Sequence, residues 1–131
     1  MRRRRRLTTA EQPREGAKPW LELDAVVKER LRVALASRRP TTEAELRKLT
    51  EEARACSLIL SAELQRGEAC LAELDADPAS SLVEMAGTFR DVTDLRRDLR
   101  ELELLLSELH EQARAARAAW LSASARLTSD T

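Results

Sequence analysis

Aromatic residues are nearly missing from this chain. Among 131 residues there are one Phe, two Trp and no Tyr. Glycine and proline are almost as scarce, at three and four. A compact enzyme draws on glycine-rich turns and an aromatic core, and this composition supplies little of either. Histidine occurs once, as His110. Nucleophile–base constellations, metal-ligand clusters and glycine-rich phosphate loops are all wanting, so the chain is expected not to be an enzyme and to need no cofactor.

Cysteine is limited to Cys56 and Cys70, too few for a disulfide framework. Fourteen positions apart on one straight helix, they would lie about 21 Å from each other, beyond bridging distance. They are read as two small buried thiols in a reducing, intracellular setting, cytoplasmic or nuclear. No apolar run approaches the roughly 18–20 residues that cross a membrane. Met1–Arg6 resembles the charged start of a signal peptide, but no apolar segment follows it.

What the chain has in quantity is Ala, Leu, Glu and Arg, with 43% hydrophobic and 35% charged residues. That mixture belongs to long helices. The net charge is zero but unevenly placed. Residues 1–18 carry seven basic and two acidic side chains, leaving the remainder negative. With Pro13, Gly16 and few large apolar residues, 1–18 is expected to be a disordered basic tail. Its Arg2, Arg3, Arg4, Arg5 and Arg6 are candidates for a nuclear import signal or a phosphate contact.

The strongest pattern is a heptad stripe. Met85, Val92, Leu99, Leu106, Ala113, Trp120 and Leu127 form one row; Thr88, Leu95, Leu102, Leu109, Ala116 and Ala123 form the other. A helix with such a seam must bury it against other helices. Residues 19–131 are therefore expected to be one all-α domain with helices over about 20–37, 42–76 and 79–126. Pro19 fits the first turn of the first helix, and Pro40 lies beyond its end. Thr42 and Glu45 form a capping box for the second. Asp77 with Pro78, or Ser81 with Glu84, starts the third. The short break at 75–78 predicts a long antiparallel, coiled-coil-like hairpin of the second and third helices. The first helix either folds back beside them, leaving Trp120 exposed, or extends the rod.

The third helix outruns the second, so part of its seam is left for other chains. Met85, Val92, Leu95, Leu99, Leu102, Leu106, Leu109, Trp120 and Leu127 are the expected partner interface, and Glu at Leu99 and Leu106 is expected to abolish assembly. The build resembles small helical subunits of hetero-oligomeric assemblies, such as those of kinetochores, vesicle- and lysosome-positioning complexes, and centrosomes. The expected role is a structural or adaptor subunit that binds other helical chains. Unlike partners are favoured over self-pairing, since the positions flanking the seam show no self-complementary alternation. Small-molecule substrates are not expected. Two other readings remain: a nuclear, nucleic-acid-associated factor docking through the Arg run, and a monomeric three-helix domain acting through linear motifs.

Overall fold

The computed structural model describes residues 18–37 and 41–129. Among them are three helices and no strand: α1 (Pro19–Ala36), α2 (Glu43–Ala76) and α3 (Leu82–Ser129). The Arg2–Arg6 run and the rest of 1–17 lie outside the described residues. Lys18, expected to belong to the tail, instead pairs with Asp91 at 3.3 Å and stands 5.7 Å over the Trp20 ring.

Each helix start has a local cause. Pro19 opens α1, where its missing N–H would have no helical partner. At α2 the capping box forms in both directions: Thr42 Oγ1 accepts from Glu45 N–H at 3.1 Å, and Glu45 Oε1 accepts from Thr42 N–H at 3.0 Å. The start of α3 falls three residues later than expected. Asp77 Oδ1 accepts from Ala79 N–H at 2.9 Å and holds Pro78 in a turn. Ser81 then takes the cap, accepting from Val83 and Glu84 N–H at 3.2 and 3.3 Å. At its far end α3 runs to Ser129, since no Gly or Pro stops it.

Ion pairs fix the helix directions. Glu68 of α2 meets Arg96 of α3 at 2.6 Å, and Glu43 meets Arg117 at 3.2 Å, so α2 and α3 run antiparallel. Along α1 and α3, Lys18 meets Asp91, Lys28 meets Glu101, and Gln112 Nε2 donates to Leu35 O, so these two run parallel. The first helix therefore folds back, and the middle of the molecule is a three-helix bundle. Its core contains Val27 and Leu31 of α1, Leu49, Ala53, Cys56 and Leu60 of α2, and Leu95, Leu102 and Leu109 of α3.

The three helices differ in length, and this divides the molecule into zones. In the middle all three pack. Among the described residues, only α2 lies beside the start of α3 before Asp91; this is the tip. Past Arg117 no other described helix accompanies α3, since α2 begins at Glu43. The lone stretch, about twelve residues, is roughly 18 Å long.

Candidate helix-docking surface

The expected interface residues fall into two groups. Val92, Leu95, Leu102 and Leu109 are buried; Leu95, Leu102 and Leu109 belong to the core shared with α1 and α2, and Val92 lies against Gly67 of α2. Leu99 and Leu106 are half-buried and pack on that core, and Met85 is half-buried at the tip. Trp120 and Leu127 are not covered: they remain 66% and 71% exposed, with Leu121 beside them. The exposure follows from length, because α2 begins level with Arg117 and α1 ends near Gln112.

A second uncovered zone lies on the α2/α3 face opposite α1. Near the start of α2 it is lined by Arg47, Thr50, Arg54, His110, Ala113, Arg114 and Arg117 among others. Arg54, Ser57, Leu58, Glu103, Leu106 and Ser107 continue it, with Leu58 72% exposed. At the tip it opens into a groove of about 610 Å³ between Leu71, Ala72 and Asp75 of α2 and Met85, Ala86 and Phe89 of α3. Phe89 is 58% exposed. These stretches share one face, since Ser57 and Leu58 recur fourteen positions on as Leu71 and Ala72, four helical turns later. Trp120 and Leu121 prolong the same face along α3, seven positions after Ala113 and Arg114.

Local sequence left two features unread. Asp24 and Lys28 are buried, although charged residues on a helix are ordinarily solvated. Lys28 Nζ reaches Asp24 at 2.8 Å, Glu101 at 3.0 Å and Asp98 at 3.8 Å, and Arg32 pairs with Glu101 at 2.9 Å. Burial pushes the Asp24 carboxyl above the usual carboxylate range, against the pull of Lys28. Burial also acts against the Lys28 ammonium, but its hydrogen bonds to Asp24 and Glu101 prevail and hold its pKa high. The bond from Lys28 keeps Glu101 low. The available signal was the i, i+4 spacing of Asp24 and Lys28 around Val27 on an otherwise apolar turn.

The cysteines also part company. Cys56 is buried under α1, and burial, then the nearby Asp24 charge, push its thiol up to about 11. Cys70 was expected to be buried as well, but it is exposed. It lies on the same side of α2, fourteen positions on and near the level where α1 starts.

Among the described residues no group of His, Cys, Asp and Glu side chains is placed to hold a metal ion. His110 lines the open α2/α3 face. No described helix is long and apolar enough to cross a membrane. No family model, no curated protein and no solved structure matches the chain.

Proposed function

We propose that this chain is a non-enzymatic structural or adaptor subunit that binds partner helices, using the free end of α3 and the open α2/α3 face. One observation carries the reading. The heptad seam continues past the last residue that the chain's own helices cover, and ends in an exposed Trp120 and Leu127. Burying two side chains of this size contributes up to about 3–6 kcal/mol toward docking a helix, offset by the cost of association. Contiguous exposed apolar surface on a helix is a mark of association.

The test is Trp120→Glu with Leu127→Glu. Both side chains stand outside the bundle, so helicity and melting should hold. Glu at Leu99 and Leu106 would not discriminate, since both side chains pack on the core and their loss would unfold the bundle. Affinity isolation from native cells, wild type against double variant, is expected to lose helical associates, further copies of this chain included. An unchanged set of associates contradicts the reading.

The covered middle of the seam favours a second reading, a self-sufficient three-helix domain. On that reading the double variant behaves as wild type in every assay of association.

A further inference from the structure

We propose that the partner at this surface is a second copy of the same chain, packed antiparallel across the open α2/α3 face. The inference rests on the helix-docking reading above and names its occupant.

Charge along the face is the first support. Where α2 begins, Arg47, Arg54, Arg114 and Arg117 outnumber Glu43 and Glu51. At the tip, Glu68 and Asp75 outnumber Arg96. Antiparallel packing sets each basic end on an acidic end, twice over by symmetry. Parallel packing sets like on like. The overhang adds Arg126 and no acid up to Ser129.

Length is the second. The midpoint of α3 (Leu82–Ser129) falls between Leu105 and Leu106. With a two-fold axis there, Trp120 lies about 22 Å from the axis on one side and Phe89 about 25 Å on the other. Trp120 of one protomer thus arrives within a turn of the Phe89 groove of its partner. Leu106 lies beside the axis, with Leu58 across the groove from it.

Helix number is the third. The tip has two helices and the overhang one. Laid together, they make a three-helix layer like the one in the middle of the chain. The arrangement also explains why residues flanking the seam lack alternation: the complementarity is graded along the axis and shows only between opposite ends.

The experiment joins mass to register. The full chain is measured by light scattering and sedimentation from low micromolar to sub-millimolar concentration. The expected result is a rise from one chain mass to two, with Trp120→Glu plus Leu127→Glu weakening dimerisation by about 30-fold or more. For register, Ala86→Cys is mixed with Ser124→Cys, each with Cys70→Ser, and treated with a short bis-maleimide; Cys56 is buried and stays unmodified. Mixed 86–124 products are expected. A single chain mass throughout the range, or 86–86 products in preference, overturns the proposal. A chain that is monomeric alone, yet loses native associates in the double variant, overturns self-pairing and leaves helix docking standing.

Discussion

At the scale of single residues, two glycines in the same antiparallel pair have opposite roles. A Cβ on Gly67 would come within 2.9 Å of Val92 Cγ2, whereas one on Gly87 meets nothing within 4 Å. Replacing either by Ala adds helix propensity worth about 1 kcal/mol. At Gly67 the gain is overtaken, because Val92 is buried and its branched side chain has no free rotamer to retreat to. Overpacking of that kind costs about 1–3 kcal/mol. Gly67→Ala is therefore expected to lower stability by about 1 kcal/mol, and Gly87→Ala to raise it by about 0.5–1 kcal/mol. Urea unfolding of the two variants checks this, and equal shifts of the same sign would contradict the close approach. A glycine in a helical pattern reads equally as close packing or as simple weakening, and only the facing residue, here Val92, decides.

Among elements, α1 is the one whose placement the sequence left open. Its buried residues Val27 and Leu31 are four positions apart and share a face, but a face does not say which helices it meets. In the structure α1 lies along α3, with a buried charged pair at the contact. Asp24 and Lys28 were hard to read because charged residues in a helix are normally solvated, and only tertiary partners reverse that. Removing one partner strands the other. Lys28→Met is expected to cost about 3–5 kcal/mol near pH 7, and the further change Asp24→Leu should recover most of it. The deficit also depends on pH. In the single variant Asp24 is buried without its cation, so its folded pKa stands above the ordinary 3.8. Stability from such a group is full below the unfolded value and is lost as pH rises through the folded one. Glu101 in the wild type has the reverse sign: its contribution is present above about 4.5 and is lost as pH falls through its lowered value. The gap between wild type and Lys28→Met should therefore narrow on acidification. Thermal melts at acidic and neutral pH read it, and a gap that widens toward acid would contradict the burial of Asp24.

Over the whole molecule, the three helices and their approximate bounds were legible because periodicity and caps are local signals. The division of the seam was not. Its rows look alike at Leu102 and at Leu127, and only the relative lengths and directions of α1, α2 and α3 decide which part is covered. Cys70 shows the same limit, since it shares a side with Cys56 but lies near the level where α1 starts, where that cover gives out. The resulting molecule has a closed middle and two open ends, and its open α2/α3 face has a basic excess near the start of α2 and an acidic excess at the tip. If helix docking is the role of this chain, the overhang is covered in the native state. Hydrogen–deuterium exchange over residues 118–129 tests that most directly, comparing protein isolated from native cells with its associates against the chain diluted to a monomer. Exchange is expected to be fast in the monomer and markedly slower in the native material. Equally fast exchange in both would contradict it.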